Sequence, residues 1–140
     1  MPLSFPYQDS KPTQINRHQA AESTVRITAD GLFRVDSRFT NAKQLDGDHF
    51  VTIVTAYSGE KPVAIIKQIK GLNARGWGGT VEQRDSTQGT IPSNALAQID
   101  RVTIEHGLYD WVDDSLVWKV IGETVKEFLR NKDSGFQMVS

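Results

Sequence analysis

The chain has 140 residues, 38% of them hydrophobic, and a formal net charge of −1. This length suits a single hydrophobic core, and the near-neutral charge argues against a general nucleic-acid binder, whose domain is usually strongly basic. The chain has no cysteine, which excludes disulfides, thiolate metal ligands and cysteine nucleophiles. We find neither a secretory signal pattern nor an apolar run of the roughly 18 residues that span a membrane, so we expect a cytoplasmic protein without a membrane partner.

Residues 1–22 are polar, contain three prolines and show neither helical nor strand periodicity. We therefore expect an extended N-terminal arm, because termini without a periodic apolar pattern are loosely held. The rest of the chain is expected to form a single domain over residues 23–131 and a short C-terminal tail over residues 132–140.

The first clear strands lie on either side of residues 29–31, which end in glycine. A three-residue loop with glycine in the left-handed conformation is a common hairpin connection. This loop pairs Ile27 with Phe33 and Val25 with Val35. A slip of one residue would turn the whole apolar face to water, so the three-residue loop is the predicted one.

The same register places Arg26 directly opposite Arg34 on the outward face, with Arg38 further along the strand and Asp36 between them. Like charges that face each other across two strands are unfavourable, so we expect a partner to neutralise them. A solvated strand face, with Asp36 or Glu22 as counter-ion, is the alternative interpretation, since exposed ion pairs contribute little.

Residues 49–70 form a second predicted hairpin that is rich in β-branched residues. Both faces of its strands are substantially apolar, which is typical of strands covered on both sides. We expect one face to form the main core and the other to meet the C-terminal helix, the N-terminal arm or a second subunit. We therefore expect a homo-oligomer, with a dimer favoured.

A glycine-rich loop over residues 71–79 contains Trp77 close to Arg75, and Arg84 follows in a short, weak strand over residues 80–84. The glycine spacing approaches that of a phosphate-binding loop, but Trp77 stands where that motif has lysine. An aromatic plane beside guanidinium groups can stack on a base or bind an anion. Alternatively, Trp77 is buried and anchors the loop on the core.

Three further elements are predicted: a short helical turn over residues 93–97, a strand over residues 99–106 and a helix over residues 115–130. Ser115 suits the N-cap of this helix, apolar residues recur along one helical stripe, and Gly122 beside the stripe suggests a close approach to a strand. The sequence therefore predicts an α+β fold: an antiparallel β-sheet or half-open barrel of about six strands, with one C-terminal amphipathic helix packed on it.

His49, at the start of one predicted strand, and His106, at the end of another, are the plausible catalytic pair. Two imidazoles of opposite protonation can act as acid and base in phosphodiester cleavage, which gives a small phosphodiesterase or nuclease as an alternative function. Histidines at strand ends are more often structural or solvated.

Asp46 and Asp48 predict a turn rather than a metal site, because a calcium loop needs more ligands at fixed spacings. We therefore expect neither a metal nor a cofactor.

No catalytic motif is complete, which favours a protein that is not an enzyme. The leading hypothesis is a small binding protein that engages an anionic small molecule or an acidic protein surface. Its candidate binding residues are Arg26, Arg34, Arg38, Arg75, Trp77 and Arg84. A further alternative is a structural or inhibitory protein-interaction module that docks through its helix or its N-terminal arm.

Overall fold

Two antiparallel four-stranded sheets pack face to face in the computed structural model, which describes residues 3–121 and 125–139. Sheet A contains, in spatial order, β1 (Tyr7–Asn16), β2 (Gln19–Ile27), β3 (Leu32–Asn41) and β6 (Val81–Thr90). Sheet B contains, in spatial order, β7 (Arg101–Leu108), β4 (Asp48–Ser58), β5 (Lys61–Leu72) and β8 (Gly135–Met138). The described residues also form the helices α1 (Ser93–Leu96), α2 (Leu116–Ile121) and α3 (Lys126–Arg130) and a 3₁₀ segment at Tyr109–Asp114. The fold is mostly antiparallel β-sheet with a few short helices, and the half-open barrel is not confirmed.

The β2–β3 hairpin has the register that its sequence predicts. Ile27 lies opposite Phe33 and Val25 opposite Val35. Gly31 in the loop has a φ of 89°, and a Cβ at this position would lie 2.3 Å from the carbonyl oxygen of Ile91. The loop therefore requires glycine, and the apolar residues of both strands turn inward.

The main core lies between the two sheets. Val25 and Val35 of sheet A belong to the same buried cluster as Val54 and Ile66 of sheet B. Complete burial of such a side chain stabilises the fold by about 1.5–3 kcal/mol. Apolar residues of the α1 region close one end of this cluster, namely Ile91, Ala95, Leu96 and Ile99.

The opposite face of sheet B is covered by helices of the same chain. Val51, Ile53 and Ile65 of this face form a second buried cluster with Val117 of α2 and Leu129 of α3. Both apolar faces of the β4–β5 hairpin are therefore covered within one chain. This covering removes the observation from which we expected a homo-oligomer.

Two strands come from segments that the sequence does not identify as strands. β1 lies in the expected N-terminal arm and pairs with β2, and β8 lies in the expected tail and pairs with β5. β1 is an edge strand, and its inward positions include Lys11 and Thr13, so it carries no clear apolar alternation. Backbone hydrogen bonds to one neighbouring strand hold such an edge strand in the sheet. Hydrophobic periodicity gives no sign of these bonds, so it does not predict the strand.

β6 is also longer than the sequence predicts. The strand expected over residues 80–84 continues to Thr90 and pairs with β3 from Leu32 to Asn41. Every residue of β6 after Val81 is polar or glycine, so its length is set by the strand beside it and not by its own pattern. The predicted helical turn near residue 93 is confirmed as α1.

The single C-terminal helix expected over residues 115–130 is not confirmed. α2 ends at Ile121, and Val125, which precedes α3, has a non-helical backbone with φ −128° and ψ 28°. Residues 122–124, including Gly122, lie outside the described residues. The helical spacing of apolar residues predicts which side chains face the sheet, but it does not show that the backbone between them is continuously helical.

Within the described residues, no helix combines the length and the apolar character needed to cross a membrane.

Lys67 holds the end of α3 on sheet B. Its side chain is fully buried, and Nζ donates hydrogen bonds to the carbonyl oxygens of Phe128 and Asn131 and to Asn131 Oδ1, the last two at 2.6 and 2.9 Å. The last carbonyls of a helix lack intrahelical partners, and a cation there is favourable. Burial lowers the pKa of Lys67 to about 8, although Asp133 acts in the opposite direction.

Lys67→Met is expected to lower the free energy of unfolding by about 2–3 kcal/mol, because it leaves buried oxygens without donors. Denaturant titration at neutral pH measures the change. Lys70→Met, at a half-buried position on the same strand, is the control and is expected to change the free energy by less than about 0.5 kcal/mol. Equal losses in the two variants would contradict the anchoring role of Lys67.

Candidate functional site

The outward face of sheet A carries four arginines in two facing pairs. Side chains alternate along a strand, so the residues between the buried positions of β2 and β3, and their register partners on β6, point away from the core. Arg26 lies directly opposite Arg34 across β2 and β3, and Arg38 lies directly opposite Arg84 across β3 and β6. Facing like charges weaken strand pairing, so this arrangement does not serve the stability of the sheet.

The first pair has one carboxylate partner. Arg34 Nε donates hydrogen bonds to both carboxylate oxygens of Asp36, each at 2.9 Å. Arg26 has no ion pair within the part of the chain that the structure describes. Arg34 and Asp36 are about half exposed, so their attraction is screened by solvent and contributes little to stability.

The second pair also shares a single carboxylate. Glu82 lies 3.3 Å from Arg38 and 3.4 Å from Arg84. Glu22 is opposite Arg38 in the register, but it forms no ion pair among the described residues. Among the described residues, three of the four guanidinium groups are therefore ion-paired, and they share two carboxylates, Asp36 and Glu82.

An open concavity of about 730 Å³ lies on this face. Between the two arginine pairs runs a row of Thr24, Asp36 and Ser86, which are neighbours in the strand register. Arg34 and Arg38 are four residues apart on β3, or about 13 Å along the strand. The residues that line the concavity are Glu22, Thr24, Arg34, Asp36, Ser37, Arg38, Arg84, Asp85 and Ser86. Hydroxyl groups thus lie between separated cationic groups, which suits a ligand with anionic and hydrogen-bonding groups.

Trp77 does not anchor the glycine-rich loop, because its side chain is 95% exposed. Arg75 holds the loop instead: Nε donates to the carbonyl oxygen of Ala42 at 3.1 Å, and a terminal nitrogen donates to that of Gly78 at 3.2 Å. The alternative of a buried Trp77 that anchors the loop is therefore wrong. The planar guanidinium satisfies the loop carbonyls without any burial of the tryptophan.

The glycine-rich loop lies beyond the end of sheet A. The backbone N–H of Arg75 donates to the carbonyl oxygen of Lys43 in the β3–β4 connection at 2.9 Å. This connection starts after Asn41, which lies three residues beyond Arg38, or about 10 Å along the strand. Neither Arg75 nor Trp77 lines the concavity. Of the predicted binding residues, the structure brings together Arg34, Arg38 and Arg84, with Arg26 beside Arg34.

His49 and His106 lie on opposite faces of sheet B. His106 pairs with Thr52 across β7 and β4, and His49 is three residues from Thr52, so the alternation along β4 turns it the other way. His49 is exposed, whereas His106 is only 7% exposed and faces the space between the sheets. The two imidazoles therefore have no common point at which a substrate could react with both.

His106 is the centre of a buried hydrogen-bond network that links the sheets. Its Nδ1 lies 2.7 Å from Thr13 Oγ1 of β1, and its Nε2 lies 2.7 Å from Ser23 Oγ of β2. Ser23 Oγ in turn lies 2.5 Å from Ser37 Oγ and 3.3 Å from Thr52 Oγ1. This network was not predicted from the sequence, although hydroxyl residues at inward positions of otherwise apolar strands are a signal for it.

Burial, and second the charge of Lys11, lower the pKa of His106 to about 4. The imidazole is therefore neutral at neutral pH, with one ring nitrogen donating and the other accepting. A group with this pKa is a weak base at neutral pH, and both nitrogens already have hydroxyl partners. The arrangement supports a structural role for His106 rather than general acid-base catalysis.

Comparison with known proteins found no protein-family model, curated protein or solved structure that matches this chain. Among the described residues, no group of three or more histidine, cysteine, aspartate or glutamate side chains is placed to hold a metal ion. Functional inference therefore depends on the geometry of the chain's own residues, above all on the arginine face of sheet A.

Trp77→Ala is expected to change the free energy of unfolding by less than about 0.5 kcal/mol, because an exposed side chain makes few contacts that the unfolded chain lacks. Trp111→Ala is the matched control: its half-buried ring packs on Gly107, and we expect a loss of about 2 kcal/mol, below the range for a fully buried tryptophan. Denaturant titration measures both. A large loss in Trp77→Ala would show that the loop does depend on this ring.

Acid is expected to destabilise the protein through His106. The unfolded chain titrates this group near its ordinary pKa of about 6.5, above the folded value of about 4. Between these values the unfolded state binds more protons, so the free energy of unfolding falls as pH falls, by about 3 kcal/mol for this group. Denaturant titrations across this window should show a shallower fall in His106→Gln and the wild-type fall in His49→Gln. A wild-type fall in His106→Gln would contradict a buried neutral imidazole.

Proposed function

We propose that the protein is a small non-enzymatic binding protein that engages an anionic small molecule or an acidic protein surface on the outward face of sheet A. The observation that carries this proposal is the pair of Arg38 and Arg84, which face each other at the concavity and, among the described residues, share Glu82 as their one carboxylate partner. An anionic group bound between them would relieve their mutual repulsion. The other facing pair, Arg26 and Arg34, extends the same face.

Arginine is well suited to this role. Its planar guanidinium forms paired hydrogen bonds with carboxylate, phosphate or sulfate groups, and such charge-assisted bonds are stronger than neutral ones. The distance of about 13 Å between Arg34 and Arg38 along β3 favours a ligand with two separated anionic groups, or an extended acidic segment, over a single small ion. Thr24 and Ser86 supply hydroxyl groups between them.

The alternative of a phosphodiesterase or nuclease depends on a reaction point shared by His49 and His106. Their positions on opposite faces of sheet B give that mechanism no support. The protein-interaction module is the stronger second candidate because Trp77 is exposed on a loop that Arg75 holds in place. Tryptophan is enriched at the energetic centres of protein interfaces, and in this case Trp77→Ala should abolish binding of a protein partner.

The anion-binding proposal is tested by thermal denaturation with inorganic pyrophosphate, a nucleoside triphosphate and an oligoglutamate peptide. A ligand at 100 times its Kd stabilises the folded state by about 2.7 kcal/mol. We expect this stabilisation for at least one probe in the wild type and its loss in the double variant Arg38→Gln/Arg84→Gln. Arg17→Gln, at an exposed position outside the face, is expected to keep it.

Glu82→Gln provides a test of opposite sign. It removes the carboxylate that competes for both guanidinium groups, so it should strengthen binding of the same probe severalfold. Absence of stabilisation by all three probes, or equal stabilisation in the double variant, would contradict the proposal.

The homo-oligomer stays a prediction. Native mass spectrometry measures the subunit count together with any retained ligand.

A further inference from the structure

Five buried side-chain oxygens on sheet B have no hydrogen-bond partner within the part of the chain that the structure describes. One is Gln68 Oε1 of β5, and the other four lie on β4 and β7: Thr55 Oγ1, Tyr57 OH, Thr103 Oγ1 and Glu105 Oε2. Thr55 and Tyr57 are only 0% and 1% exposed. More than about 90% of buried polar groups in folded proteins are paired, so four such atoms on one face of two paired strands indicate a site.

The four groups share the face of sheet B that carries the helices. Thr55 lies directly opposite Thr103 across β4 and β7. Because these strands are antiparallel, Tyr57 and Glu105 lie on opposite sides of this threonine pair, Tyr57 opposite Arg101 and Glu105 opposite Ile53, and all four share one face. Burial, and then the charge of Glu105, raise the pKa of the Tyr57 phenol, whereas both threonine hydroxyls act to lower it. The phenol oxygen therefore lies near both hydroxyls and within electrostatic range of Glu105, but neither hydroxyl has the distance and angle of a complete hydrogen bond to it.

Neighbouring groups orient the cluster without satisfying it. Glu105 Oε1 accepts a hydrogen bond from the backbone N–H of Leu116 at 2.7 Å, which fixes the carboxylate and leaves Oε2 free. The guanidinium of Arg101 lies 4.1 Å from the centroid of the Tyr57 ring and donates to the carbonyl oxygen of Gly59. Burial raises the pKa of Glu105 despite the backbone hydrogen bonds from α2 and the charges of Lys11 and Lys119.

We propose that Thr55, Tyr57, Thr103 and Glu105 form a binding site for one monovalent cation of the size of sodium or potassium. Carboxylate and hydroxyl oxygens are hard ligands of the kind that hard cations take. A single carboxylate balances a single positive charge, and a buried charge requires such a partner. A water molecule would satisfy the hydroxyls, but it would add no positive charge at Glu105 Oε2, where the more distant charges of Lys11 and Lys119 do not offset the effect of burial.

The test compares denaturant unfolding in sodium, potassium and choline chloride at equal ionic strength. Choline is too large for a site enclosed by side chains, and chloride is common to all three, so the anion face of sheet A does not affect the comparison. A cation at ten times its Kd should lower the unfolding equilibrium constant about 11-fold relative to choline. Equal unfolding in the three salts, as a bound water or an empty site predicts, would overturn the proposal.

Two variants locate the effect. Glu105→Gln removes the charge and Thr55→Val removes one oxygen at nearly constant volume, and both should abolish the difference between salts. Glu60→Gln, at an exposed carboxylate in the β4–β5 turn, is the control and should keep it. If Glu105→Gln fails to fold, Thr55→Val alone decides, and retention of the salt difference in that variant would also overturn the proposal.

Discussion

The direction of the outward side chains on sheet A depends on the hydrogen bonds of His106 between the sheets. The imidazole joins Thr13 of β1 and Ser23 of β2 to β7 of the other sheet. Ser23 and Ser37 are opposite each other in the register, and both turn inward to this network. Because side chains alternate along a strand, Arg38, next to Ser37, must turn outward. The geometry of the arginine face is therefore fixed from the inside.

A buried polar network of this kind favours one register over the others. A slip of one residue in β2 would turn Ser23 to solvent and leave the ring of His106 without one of its partners. Leaving a buried polar group without a partner destabilises the fold by more than a hydrogen bond at the same place stabilises it. The network adds to the apolar pattern of Val25 and Val35 as a determinant of register, and it needs a neutral imidazole, because a charged ring could only donate.

How much of the fold and of the site could be predicted depends on where the determining contacts lie. The pair of Arg26 and Arg34 could be predicted because the alternation and the glycine loop that set it are local in sequence. The pair of Arg38 and Arg84 could not, since β6 is a polar edge strand whose register is imposed by β3. Whether Trp77 is exposed or buried could not be decided from the sequence for a related reason: the loop is oriented by a carbonyl of the distant β3–β4 connection.

The apolar residues and the Gly31 loop of the β2–β3 hairpin agree with its register. The two facing arginine pairs do not, because like charges directly opposite each other disfavour strand pairing. Such departures are expected at functional sites. Replacing Arg84 by a neutral residue would relieve the repulsion on Arg38, so the pair weakens the sheet in the absence of a ligand. The inward network of Ser23, Ser37 and His106 lies on the opposite side of the same strands and holds their register against this repulsion. The buried polar network and the charged outer face are therefore linked through strand alternation. The contacts that order the interior also hold a surface on which the described guanidinium groups outnumber their carboxylate partners.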